Sequence, residues 1–397
     1  MSGDSHKLNT PFLRILHNTL VVWLADTSKF SEALVQKLLV EAENLYQVLD
    51  FGLRHEATWE VAARVVCQTR LFASRLSQQR VWLELVVRAL VWCQEAGHLW
   101  AELLLVQGQL QRDLAELKAA FATFAEAEPM ITELGNRELI VRLLYNLAET
   151  YQEDDQLQIA KQLCLQAIEQ LEAGEDMPYW RAATLHILGN AQRDLGELDE
   201  ALVSLKQALV LEEKMGDSLA YVRVLNNLGR TFVTAGQFEQ AFMVFTDCLE
   251  LLADMPYEND KLVVYITCGS LYVEQSQLEH AEEFFTKAIA LVRTTPIPLN
   301  SQAIVFNNLG YLFFLQKRLA NARYFLGEAI TLRRMLSQDL RLANSIGSLG
   351  EVLLCEGDRE GAKRAFDEAL ALVEPLQNVP WGARMRQRFA DQRQLCM

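Results

Sequence analysis

Six histidines and seven cysteines are the residues of this chain best suited to metal binding or nucleophilic catalysis, and their spacing suits neither. His6, His17, His55, His98, His186 and His280 form no H-E-x-x-H or H-x-x-x-H pair, and no two cysteines make a C-x-x-C motif. There is no G-x-S-x-G elbow and no G-x-x-x-x-G-K-[ST] phosphate loop, and Cys355 and Cys396 have no histidine nearby in sequence. No metal, no cofactor and no catalysis are expected. What remains for recognition chemistry is amides and guanidiniums. An asparagine amide both donates and accepts, which suits gripping a peptide main chain. An arginine fork suits carboxylates.

The balance of charge narrows the partner. The 397 residues carry a formal net charge of −15, with a pI near 5.0. A surface this acidic repels phosphate backbones and anionic headgroups, so neither nucleic acid nor membrane is the expected partner. The apolar run from Leu20 to Ala25 is short for an export signal. Cysteine usage suits a reducing compartment, with Cys164, Cys248 and Cys268 as small buried hydrophobes or, alternatively, parts of a metal or disulfide framework. A cytoplasmic location is expected.

The elements that must position any site are helices in a strict register. A small residue falls at Gly108, Ala148, Gly189, Gly229, Gly269, Gly310 and Gly350, at intervals of 40, 41, 40, 40, 41 and 40. Twelve residues after each comes Ala120, Ala160, Ala201, Ala241, Ala281, Ala322 and Ala362. Four later come Phe124, Cys164, Leu205, Phe245, Phe285, Leu326 and Phe366, and three later Ala127, Ala167, Ala208, Cys248, Ala288, Ala329 and Ala369. A glycine inside a helix costs about 1 kcal/mol relative to alanine. Its recurrence means that a second helix approaches too closely for a side chain. Gly196, Gly236 and Gly357 read as left-handed ends of first helices.

The run L-x-x-L-G-x-x-[YF]…A-x-x-x-[FL]-x-x-A resembles the tetratricopeptide repeat over about residues 105–375. Its period of about 40 resembles the long-helix variety of kinesin light chains and Rap-type regulators rather than the 34-residue form. The resemblance implies an all-α fold, a right-handed α-solenoid with helical caps. The expected organisation is a divergent N-terminal cap over 1–97, seven repeat units over 98–378 and a capping helix over 379–397. Within the N-terminal part, Trp82 stands where a small residue is expected. Glu41–Leu45, Leu49 and Trp59 resemble the opening of the repeat arm of bacterial signal-transduction ATPases. In the last helix Trp381, Met385 and Phe389 share one face, with Arg384, Arg386 and Arg388 away from it, as a cap or as a basic partner-binding tail.

The resemblance also implies which residues face the hollow of the solenoid: those six, three and two before the marker and one and four after it. These include Arg142, Asn146, Asn190, Arg193, Arg223, Asn226, Asn227 and Arg230, then Val263, Ile266, Ile304, Asn307, Asn308, Tyr311 and Phe314. Asn146, Asn227 and Asn308 recur two before the marker, to hold a peptide backbone or merely to solvate the face. The arginines pair either with acidic groups on a partner or with Glu149, Glu153 or Asp194, and part of the apolar set could pack against neighbouring repeats. The expected function is a non-enzymatic adaptor or sensor that binds a protein or peptide, acidic at one end and apolar or aromatic at the other. The alternatives are a stand-alone regulatory arm for an enzyme from another gene and a peptide-sensing transcription regulator. The latter would need a basic recognition helix, which residues 8–54 lack.

Overall fold

The structure, a computed structural model, describes residues 11–27, 32–70, 73, 78–93, 97–174, 176–336, 339–376 and 380–396. The side chain of Leu34 and that of Trp381 lie outside the described residues. Among those described there is no β-strand, and the fold is an all-α, tetratricopeptide-type α-solenoid. Contacts divide it into two compact units, 1–221 and 222–397.

The first unit begins with α1 (Pro11–Thr27), α2 (Glu32–Gly52), α3 (Trp59–Gln68) and α4 (Gln79–Trp92). Trp82 of α4 is fully buried, and its indole N–H donates to Thr69 Oγ1 at 3.1 Å, so a large residue is accommodated where the repeat pattern wants a small one. Asp50 on α2 accepts from both Arg54 and Arg88, and Trp92 Nε1 donates to the Leu53 carbonyl at 2.6 Å. Three helix pairs follow: α5 (His98–Asp113) with α6 (Leu117–Leu134), α7 (Arg137–Glu153) with α8 (Leu157–Glu172), and α9 (Pro178–Leu195) with α10 (Leu198–Met215). The boundary between units falls inside α11 (Ser218–Thr234).

The second unit continues with α12 (Phe238–Leu252), then pairs α13 (Glu258–Glu274) with α14 (Leu278–Thr294), α15 (Leu299–Leu315) with α16 (Leu319–Met335), and α17 (Asp339–Glu356) with α18 (Arg359–Val373). It closes with α19 (Pro380–Gln394).

The small-residue register is the core of every pair. All seven alanines from Ala120 to Ala362 are fully buried, as are Phe124, Cys164, Leu205, Phe245, Leu326 and Phe366. A Cβ on Gly189 would stand 2.6 Å from Leu205 Cγ, and one on Gly350 would stand 2.8 Å from Phe366 Cε1. The ring or isobutyl group of the second helix therefore occupies the space that a side chain on the first would need.

Each first helix ends seven residues after its marker in a residue with positive φ: Ala115 (62°), Asp155 (60°), Gly196 (85°), Gly236 (71°), Ser276 (59°), Lys317 (63°) and Gly357 (87°). The amide that follows reaches back to close the helix, as from Gln237 to the Phe232 carbonyl and from Arg318 to the Phe313 carbonyl, both 2.8 Å. The turn is thus identical in all seven pairs, although only three of them use glycine.

In the last helix Met385 and Phe389 are buried against the final pair. Arg388 donates to Glu351 at 2.7 and 3.0 Å, and Arg386 donates to Glu374 at 3.0 Å. The Phe389 ring occupies the space over Gly347 that a Cβ there would enter. Two of the three residues of the predicted apolar face thus pack on the final pair, and two of the three arginines set away from it are paired with carboxylates.

Candidate functional site

In the first unit four of the predicted groove residues, Arg142, Asn146, Asn190 and Arg193, are buried and hydrogen-bonded. Arg142 on α7 donates to Glu102 on α5 at 2.8 Å and lies 5.8 Å from the centre of the Trp180 ring. Asn146 Nδ2 donates to the Arg142 carbonyl at 2.8 Å, and its Oδ1 accepts from Arg112 at 3.2 Å. Arg112 stands four residues after its marker, the same register as Arg193. It pairs with Glu149 at 2.7 Å and Asp113 at 3.0 Å, with Glu153 at 3.8 Å. Burial alone would pull its pKa down; Glu149, Asp113 and Glu153 together hold it above the ordinary arginine range. Arg193 pairs with Asp194 at 2.8 Å and donates to Asn190 Oδ1 at 3.2 Å. Glu149 and Glu153 therefore serve Arg112, a residue not singled out from sequence, and Arg142 takes a carboxylate forty residues upstream.

The second unit presents the same register differently. Arg223 on α11 donates to both oxygens of Asp260 on α13, at 2.6 and 3.2 Å, while 42% of its side chain stays exposed. Asn227 Nδ2 donates to the Arg223 carbonyl at 3.1 Å, and Arg230, which is exposed, donates to Asn227 Oδ1 at 3.1 Å. Asn226 is buried, and its Oδ1 has no hydrogen-bond partner among the described residues. Ser345 on α17 donates to Asn307 Oδ1 at 2.8 Å, and Asn307 donates to Asn308 at 3.4 Å. Ile266 and Phe314 are half-buried against the core, Ile304 is half-buried, and Tyr311 is 40% exposed.

Polar contacts also join alternate helices of the second unit: Ser301 to Asn259 at 2.9 Å, Arg341 to Asn300 at 3.1 Å and Arg388 to Glu351. Several inner-face polar residues thus stitch neighbouring repeats together. That use competes with partner binding at Arg142 and Asn307, and Arg230 and Tyr311 remain exposed.

The thiols offer no activated nucleophile in the helix core. Burial pushes Cys67 and Cys268 up to about 12, and Cys164 and Cys248 are raised for the same reason. Among the described residues no three His, Cys, Asp or Glu side chains gather as a metal site, and no helix is long and apolar enough to cross a membrane.

Residues 180–254 match a family model described as the tetratricopeptide repeat. Outer dynein arm-docking complex subunit 4 of Xenopus laevis is 35% identical over 101 residues, covering 25% of this chain and 18% of that one. Its human counterpart is 29% identical over 101 residues, covering 25% and 15%. The chain spans less than a fifth of the length of either relative. A Rap protein complexed with Competence and Sporulation Factor superposes with a TM-score of 0.61 at 14% identity, covering 84% of this chain and 98% of that one. Aspartyl phosphate phosphatase F from Bacillus subtilis superposes with a TM-score of 0.53 at 14% identity, covering 94% and 95%. At these identities the likeness bears on the fold alone. Residues 180–254 thus match the tetratricopeptide repeat, and the helix pairs of the chain share that repeat's fold.

Proposed function

We propose that the chain is a non-catalytic protein-binding module whose groove lies on the first helices of the second unit, between Arg223 and Phe314. The observation that carries this reading is the contrast one residue after the marker: Asn190 of the first unit is buried, whereas Arg230 and Tyr311 of the second are exposed. Burying a hydrogen-bonded polar residue serves the fold; leaving an arginine and a tyrosine exposed at that position provides a surface for something else. The partner is an extended protein segment. Its acidic residues meet Arg230 and the open side of Arg223, its main chain bonds to the amides of Asn227 and Asn308, and its apolar residues cover Tyr311, Phe314 and Ile266. Two relatives lend support: a Rap protein of this fold is complexed with Competence and Sporulation Factor, and the dynein-arm relatives are named as subunits of a complex.

The test is affinity capture from native lysate with wild-type chain and an Arg230→Glu/Tyr311→Ala variant side by side, with mass spectrometry of what is retained. A protein held by the wild type and lost by the variant is the expected result. Identical retained sets from both chains would place binding away from this groove.

A further inference from the structure

The position 23 residues after each marker is an apolar seat at the end of the second helix. It holds Ile131, Leu171, Leu252, Val292 and Val373 in five repeats, and Glu212 in a sixth. In the remaining repeat it holds Arg333, in the last turn of α16 and only 5% exposed. Its sequence neighbour Arg334 is exposed and paired with Glu368 at 2.6 Å. Arg333 has no such partner: its Nε is buried without a hydrogen bond, and among the described residues the charged group that acts on it is another cation, Arg341. Arg341, near the start of α17, donates to the Asn300 amide at 3.1 Å rather than to a carboxylate.

Burying a cation without an anion is costly, and a side chain at such a seat normally loses its charge or finds a partner. Arg333 keeps its charge and, among the described residues, finds no partner. Burial first and Arg341 second push its pKa down to about 10, so it remains charged at neutral pH. The buried Arg333 guanidinium and that of Arg341, near enough to act on it, offer N–H donors and two positive charges, with no carboxylate paired to either among the described residues. A single carboxylate would leave one of those charges over; a dianion balances both.

We propose that Arg333 and Arg341, the latter held by Asn300, form a binding site for a phosphate-class dianion. The same chemistry is offered by free inorganic phosphate and by a phosphomonoester carried on another molecule.

The full chain is titrated with inorganic phosphate and, separately, with O-phosphoserine, by calorimetry and by thermal midpoint, against chloride at matched ionic strength and pH. The wild-type midpoint should rise with at least one of the two ligands. Tighter binding of phosphate assigns the site to the free ion, and tighter binding of O-phosphoserine to the ester. Arg333→Leu, which restores the apolar residue of the register, should melt no lower than wild type in chloride and should lose the ligand response. Arg341→Gln should weaken binding by about tenfold or more while leaving the Arg333 seat intact. No response of the wild type to either ligand, or a response that survives Arg333→Leu, would overturn the proposal.

Discussion

Gly269 lies so close beneath Phe285 that a Cβ on the glycine would stand 2.6 Å from Cε1 of the ring. The same relation holds in five other repeats, with Phe or Leu on the second helix. In the one repeat whose marker carries a methyl group, Ala148, the opposing residue shrinks to Cys164, and both are buried in one cluster. A larger marker residue is thus met by a smaller residue on the second helix. Replacing Gly229 or Ala241 with Leu should cost about 1–3 kcal/mol or more by overpacking, and the loss should extend to adjacent repeats. Chemical denaturation with hydrogen exchange across the neighbouring helices measures both effects.

The Ala148–Cys164 pair gives a sharper test of the same relation. Cys164→Phe alone should destabilise, because the ring meets the Ala148 methyl group. Adding Ala148→Gly should recover much of that loss, with a coupling of about 0.5–3 kcal/mol in a double-mutant cycle. Strictly additive effects would show that the two residues do not share the space.

The left-handed turn residues are unequal in cost. Ala115 and Lys317 hold φ of 62° and 63°, a region in which a Cβ crowds the following carbonyl. Ala115→Gly and Lys317→Gly should each raise stability by about 0.5–1 kcal/mol, the relief of strain exceeding the added freedom of the unfolded chain. Gly236→Ala should lower it by a similar amount. Urea midpoints of the three variants check the sign.

Gly347 serves the cap as Gly269 serves a pair. A Cβ at Gly347 would enter the ring of Phe389, the fully buried anchor of α19. Gly347→Val should weaken the docking of α19 by about 1–3 kcal/mol. Limited proteolysis should then cut within residues 380–394 faster than in the wild type, with the cut sites read by mass spectrometry.

Sequence made some of this legible and concealed the rest for physical reasons. The Gly–Ala–Phe register was readable because helix approach demands small residues at fixed spacing, and Gly196, Gly236 and Gly357 marked three turns. Ala115, Asp155, Ser276 and Lys317 bear no such mark, since each is an ordinary residue held left-handed by the helices on either side. Glu102 as the partner of Arg142 was hidden because it lies one whole repeat away and is brought near only by stacking. Gly347 was masked by Gly350, three residues on, which explains the register without it. Arg333 could have been found by aligning the repeats at the ends of their second helices as well as at their markers.

Arg223 already holds Asp260 at 2.6 Å, so reversing its charge would also break a contact between α11 and α13. Phe314 packs partly against the core, so trimming it would disturb the repeat as well as any ligand. Arg230 and Tyr311 are the better probes, because both are exposed at groove positions of the second unit. An exposed charge steers encounter more than it holds the complex, so Arg230→Glu should slow association with the proposed acidic segment and flatten its salt dependence. An aromatic anchor acts on residence time, so Tyr311→Ala should speed dissociation and leave the association rate close to wild type. Stopped-flow or surface-based kinetics with the captured partner, run at two ionic strengths, separates the two effects. If Arg230→Glu changes neither the association rate nor the salt slope, the partner's acidic end does not meet this arginine.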